Sequence, residues 1–155
     1  MTFTEAEKAY YMRQALIEAQ KAADHDEVPI GAVVVKDGQI IGRGFNAREA
    51  HHKATHHAEI CAIDQANEVV GNWRLLECAL FVTIEPCVMC SGAISLARLS
   101  QVYFGAANPK FGGAVSLYQI LQDERLNHRL HVESGILERE CADMMQNFFK
   151  NRRKQ

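Results

Sequence analysis

The feature that most constrains the fold of this chain is Asp37-Gly38, set between two β-rich runs, Ile30-Gly-Ala-Val-Val-Val35 and Gln39-Ile-Ile41. A two-residue Asp-Gly connection suits the hairpin turn whose twist matches its flanking strands, so the segment reads as an antiparallel hairpin. Helices and strands then alternate. Ala58, Ala62, Ala66 and Val69 form a helical stripe, Ala79–Ile84 reads as a buried strand, Cys87–Ala97 as a helix and Gln101–Phe104 as a strand. A short helix near Ser116–Leu121, a short strand near Leu130–Glu133 and a last helix with Leu137, Cys141, Met144 and Phe148 on one face complete the pattern. Ahead of the hairpin, Thr4 can cap a helix whose apolar positions are Ala9, Met12, Leu16, Ala19 and Ala23, with Glu5 and Glu7 in its first turn. A hairpin followed by β-α units predicts an α/β fold of three layers, α/β/α, with a mixed sheet between the helices.

The 155 residues suit one domain spanning 1–155 with a single core. No apolar run approaches the roughly 18 residues of a membrane span. The N-terminus carries Glu5 and Glu7 rather than the apolar core of a secretory signal, so the expected compartment is the cytoplasm. In that reducing setting the five cysteines, at 61, 78, 87, 90 and 141, do not read as disulfides, and the close pair Cys87/Cys90 reads as metal-binding or catalytic. A net charge of −2 gives no global attraction to nucleic acid, but Lys150-Asn-Arg-Arg-Lys-Gln155 forms a basic tail. That tail suits the negative end of a helix dipole equally well.

Two short motifs carry the chemistry. His57-Ala-Glu59 opens one predicted helix; Pro86-Cys-Val-Met-Cys90 lies where a strand gives way to another. Pro86, with fixed φ and no N–H, is placed to open that helix. Cys87 and Cys90, three apart on its first turn, project to one side, where unpaired N–H groups favour thiolates. One imidazole and two thiolates suit Zn²⁺. Three protein ligands rather than four leave a position for water, whose pKa falls to about 7 on the metal. Glu59 is then placed for proton transfer, from the attacking water to a ring nitrogen and the leaving amine of an aminated aromatic ring. Cys61, four residues after His57, reads as a small core residue, with a fourth ligand as the alternative. His56 reads as a supporting partner of the site or as an exposed side chain.

With these motifs the chain resembles the cytidine deaminase superfamily, whose zinc enzymes carry an H-x-E and P-C-x-x-C signature. It is similar, more specifically, to the bacterial tRNA-specific adenosine deaminases. The resemblance runs through Glu27-Val-Pro-Ile-Gly-Ala32, Gly44-Phe-Asn46, Thr83-Ile-Glu-Pro-Cys87, Val102-Tyr-Phe-Gly105, Lys110-Phe-Gly-Gly-Ala-Val-Ser116, Asn127-His128, Phe148-Phe149 and Arg152-Arg153. It implies a five-stranded sheet, a homodimer, one zinc per subunit, and the wobble adenosine of a tRNA anticodon stem-loop flipped into the zinc pocket and converted to inosine. By the same resemblance Asn46, which on sequence alone reads as a turn residue after the second strand, hydrogen-bonds the nucleoside; Ile30, Ile84 and Pro86 line the pocket, although an apolar core role suits them equally; and Phe149, Arg152 and Arg153 touch the flanking nucleotides. Stacking and cationic contacts of that kind are how single-stranded RNA is held.

Two positions depart from the family pattern. Asn108 stands where an Asp near the target ribose is usual; it keeps an acceptor but loses the charge, which weakens discrimination of ribose from deoxyribose. Thr55-His56-His57 has a histidine where a small residue often precedes the ligand. Two rival functions share parts of this pattern. A small-molecule deaminase acting on cytosine, cytidine or guanine would not need the basic end of the last helix. An RNA-binding module with structural zinc would have no use for Glu59.

Overall fold

The computed structural model describes residues 2–153; Lys154 and Gln155 lie outside the described residues, as does the side chain of Arg153. The first helix, α1 (Glu5–Asp24), starts on a reciprocal cap. The Thr4 hydroxyl accepts from the Glu7 N–H at 3.1 Å, and the Glu7 carboxylate accepts from the Thr4 N–H at 2.9 Å. Strands β1 (Gly31–Lys36) and β2 (Gln39–Phe45) form the hairpin. Its turn residues Asp37 and Gly38 both have positive φ, 50° and 74°, the conformation that Asp-Gly tolerates. After a short helix, α2 (Arg48–His51), come α3 (Ala58–Val70), β3 (Ala79–Ile84), α4 (Val88–Leu96), β4 (Gln101–Ala106), a 3₁₀ turn at Ile120–Gln122, β5 (His131–Glu133) and α5 (Glu138–Arg153).

The sheet is five-stranded and mixed, in the order β2-β1-β3-β4-β5. β1 pairs antiparallel with β2 and β3, whereas β3, β4 and β5 run parallel. Alternate residues of each strand enter different cores, because successive side chains of a strand point to opposite faces. Ala32, Val34, Leu80, Val82, Val102 and Phe104 pack with α3 and α4 through Ala58, Ala62, Ile63, Ala66 and Ile94. On the other face Val33, Val35, Phe81 and Tyr103 pack with α1 and α5 through Tyr11, Met12, Ala15 and Cys141. The expected three-layer α/β/α arrangement is present.

Several local expectations shift. The buried stripe of α1 is Tyr11, Met12, Ala15, Glu18, Ala19 and Ala22, turned from the expected one so that small residues face the sheet. A Cβ at Gly31 would overlap the Ala15 carbonyl, so helix and strand meet backbone to backbone. Glu18 is tolerated there because Lys21 (2.8 Å) and Arg43 (3.1 Å) pair with it. On α3, Ile63 is buried while Val69 is 63% exposed. The expected helix near Ser116–Leu121 is only the 3₁₀ turn, since the Ser116 N–H and hydroxyl are both donated to Glu85. Among the described residues no helix is long and apolar enough to cross a membrane.

Candidate active site

Topology gathers the motifs at one edge of the sheet. β2 and β3 both run antiparallel to β1, so the end of β2, the start of β1 and the carboxyl ends of β3 and β4 lie together. That edge is where open α/β sheets place their ligands. Asn46 follows β2 and donates its backbone N–H to the Ile30 carbonyl at 3.1 Å. Glu85, Pro86 and Cys87 follow β3, and Asn108 follows β4. Both α3 and α4 begin here, each on one of the chemical motifs.

His57 is the N-cap of α3 and Cys87 the N-cap of α4, both with extended backbones. Pro86 therefore stands one position outside the helix rather than on its first turn, and Cys90 occupies the turn itself. His57 Nδ1 lies 3.6 Å from Cys87 Sγ and 3.5 Å from Cys90 Sγ, and the three ligand atoms are all within 4.8 Å of one another. A tetrahedral ion with Zn–S of about 2.3 Å and Zn–N of about 2.0–2.1 Å needs S···N separations of about 3.5 Å. Donor types and spacing thus fit zinc. Cys61 is not part of this group among the described residues; half-buried on α3, it has its thiol pushed upward by burial. His56 makes its contact with His51 instead, Nδ1 to Nδ1 at 2.7 Å.

The electrostatics follow from the contacts among these side chains and from burial. Cys87 is pulled down to about 4, by the Cys90 thiol and then by the His57 ring, despite partial burial. Cys90 is correspondingly raised, by its hydrogen bond to Cys87 and by its own burial. The Cys87 contact raises His57. Glu59, 3% exposed in the first turn of α3, is pushed up to about 7 by burial. A carboxyl with that pKa carries or releases a proton near neutrality, as acid–base work requires.

The other expected residues fall in different parts of the fold. Asn46 is 5% exposed and its Oδ1 has no hydrogen-bond partner. An unsatisfied buried amide costs free energy unless something else completes it, which points to a bound molecule. Pro86 is buried and its carbonyl accepts from Gly113 at 2.8 Å. Ile30 is partly buried between the two cores, and Ile84 is buried in the α1/α5 core. Asn108 is half-buried, and its Oδ1 accepts from the Phe111 N–H at 3.2 Å. Phe149 and Arg152 lie near the end of α5, where Phe148 packs edge-on against Phe149 and carries the Arg152 guanidinium 5.4 Å above its ring.

Sequence reasoning missed Glu85. It is 2% exposed and accepts from the backbone N–H groups of Asn108, Ala114, Val115 and Ser116 and from the Ser116 hydroxyl. Burial alone would raise its carboxyl; these hydrogen bonds outweigh it and hold the group below the usual carboxylate range. The signals in the sequence were an acidic residue ending an apolar strand and its place in the shared stretch Thr83-Ile-Glu-Pro-Cys87.

Fold and site together define the class, a cytidine deaminase-like α/β protein with a His/Cys/Cys group able to hold a metal beside a buried glutamate. The profile of the MafB19-like deaminases matches residues 6–153. A tRNA-specific adenosine deaminase of Streptococcus pyogenes serotype M18 is 60% identical over 153 residues, covering 99% of this chain and 96% of its own. The tRNA-specific adenosine deaminase of Bacillus subtilis is 49% identical over 144 residues, covering 93% and 89%. A structure solved in work on A-to-I editing by tRNA:A34 deaminases at the wobble position of transfer RNA superposes with a TM-score of 0.84 at 43% identity, over 87% of this chain and 98% of that one. The chain belongs to the MafB19-like deaminase family, in the group of the tRNA-specific adenosine deaminases.

Proposed function

We propose that this protein hydrolyses the amino group from the wobble adenosine of a tRNA anticodon, giving inosine and ammonia, with one zinc ion per subunit held by His57, Cys87 and Cys90. The observation that carries the reading is the convergence of those three side chains on the buried Glu59, in a chain 60% identical to a tRNA-specific adenosine deaminase. Zinc held there supplies the Lewis acidity that makes water a nucleophile at neutral pH. Glu59 would take one proton of the attacking water and pass it to the ring nitrogen beside the reacting carbon; it would then move the second proton, from the new hydroxyl, to the leaving amine, so that the C–N bond breaks with loss of ammonia and the carbonyl of inosine forms. Asn46 completes its unsatisfied amide on the flipped nucleoside, and Ile30, Ile84 and Pro86 shape the pocket. Asn108 borders the ribose, while Phe149, Arg152 and Arg153 hold the flanking nucleotides.

A homodimer in the cytoplasm completes the reading. The homodimer is supported by the apolar side chains left exposed on α4, Val88 and Leu96, and on the loop after β4, Leu117 and Tyr118. The test compares ammonia release from tRNA and from free nucleosides, with and without Glu59→Ala. Release from tRNA that depends on Glu59 is expected. Release from free cytosine, cytidine or guanine alone would replace tRNA by a small substrate, and tRNA binding without release would leave an RNA-binding module.

A further inference from the structure

Glu85 is the buried carboxylate for which the proposed chemistry has no use. Its donors come from both ends of one loop, residues 108–116, between 23 and 31 positions away along the chain. Oε1 accepts from the Asn108 N–H at 3.1 Å. Oε2 accepts from Ala114, Val115 and Ser116 at 3.2, 2.7 and 2.8 Å. The loop's own large side chains do little to hold it, since Phe111 is 66% exposed and Val115 is also largely exposed. Space for the carboxylate is built in at Gly112, where a Cβ would collide with Glu85 Oε2. Anchored in this way, the loop backbone lies directly on a candidate metal ligand. Gly112 forms a bridge with Cys87, and a Cβ at Gly113 would come within 3.0 Å of the Cys87 carbonyl carbon.

We propose that Glu85 is a positioning residue. Its carboxylate fixes the 108–116 loop against the Cys87 segment as a substrate-recognition wall, and itself touches neither RNA nor metal. The inference rests on the function proposed above. Hydrogen bonds to an ionised acceptor are roughly twice as strong as neutral ones, so one carboxylate can tie the Asn108 end of the loop to its 114–116 end, where Ala114 is the buried anchor. An amide in its place turns an NH₂ toward backbone N–H groups and must release one end. The loop then samples conformations that bind substrate poorly, while the metal group and Glu59 stay in place on α3 and α4.

The experiment is steady-state deamination of an anticodon-loop RNA hairpin by the full chain, Glu85→Gln and Ser116→Ala, with zinc content and amide exchange measured on each. For Glu85→Gln the expected result is a KM raised by about tenfold or more, a kcat within about threefold and one zinc per chain, the pattern of weakened substrate binding. Amides of Asn108, Ala114, Val115 and Ser116 should exchange slowly in the wild type and fast in Glu85→Gln, with α4 unchanged. Ser116→Ala should move KM and exchange the same way by less. A purely structural Glu85 would lower the folded fraction, reducing apparent kcat at unchanged KM; that pattern, or loss of zinc, overturns the proposal. Where Glu85→Gln fails to fold, Ser116→Ala decides: a raised KM with faster exchange supports the proposal, and wild-type values of both overturn it. A zinc-loaded wild type that does not deaminate the hairpin would sink the proposed function instead, and slow exchange at these amides would still report the anchoring.

Discussion

Two walls meet at the candidate site, and they are built differently. The first consists of the starts of α3 and α4, with His57, Glu59, Cys87 and Cys90 each placed by a helix cap or a first turn over a buried core. The second is the 108–116 loop, where side chains such as Phe111 are exposed and the backbone is pinned through Glu85. Packing and helix geometry place the first wall to within the tolerance that metal ligation and proton transfer need. The second can vary its exposed side chains, such as Phe111, without disturbing the core. In the proposed function chemistry is assigned to the first wall and recognition to the second, an arrangement common where a scaffold positions loops that contact ligands.

The difference can be broken first on the rigid side. Cys87→Ala or Cys90→Ala should abolish both zinc retention and inosine formation, because two protein ligands do not hold the ion. Metal analysis alongside activity checks this, and full turnover in a metal-free preparation would refute it. Glu59→Ala should keep zinc and RNA affinity yet lose on the order of 10²–10⁴ in turnover, the usual effect of a positioned acid–base group. If its only defect were weaker zinc binding, Glu59 would be a ligand or a fold determinant.

Changes on the recognition side should act on binding and be smaller. Removing Arg152, Arg153 and Lys154 should weaken tRNA binding and flatten its salt dependence, by up to about 0.7 in log–log slope for each phosphate no longer neutralised. An unchanged slope would make the tail a solvated helix end. The finest test is Asn108→Asp on matched RNA and DNA hairpins. The Asn108 side-chain carbonyl already accepts from Phe111, so an added carboxylate oxygen supplies a charged acceptor for a ribose hydroxyl. Charged hydrogen bonds exceed neutral ones by roughly 1 kcal/mol, so the variant should favour RNA about fivefold more than the wild type. An identical ratio in the two proteins would show that this loop does not read the sugar.

Much of the molecule was legible in the chain because its causes are local. Thr4 and Glu7 cap a helix within four residues, and Asp37-Gly38 sets a hairpin turn by its own φ preferences. His57-Ala-Glu59 and Pro86-Cys-Val-Met-Cys90 carry their chemistry in spacings of two and three positions. The three layers, the alternation of elements and the candidate metal-ligating set could therefore be read from residue order. Which face of α1 turns inward could not, since it depends on the approach of Ala15 to Gly31 from a different element. Tertiary packing also settled that Ser116 belongs to a clamped loop and not to a helix, and that His56 pairs with His51. Glu85 shows the reason most plainly. Its partners lie 23 to 31 residues downstream, and only the parallel pairing of β3 with β4 brings their ends together. Four of the five donors it collects are backbone N–H groups, which are the same for every residue except proline and so leave no mark on the sequence that could announce them.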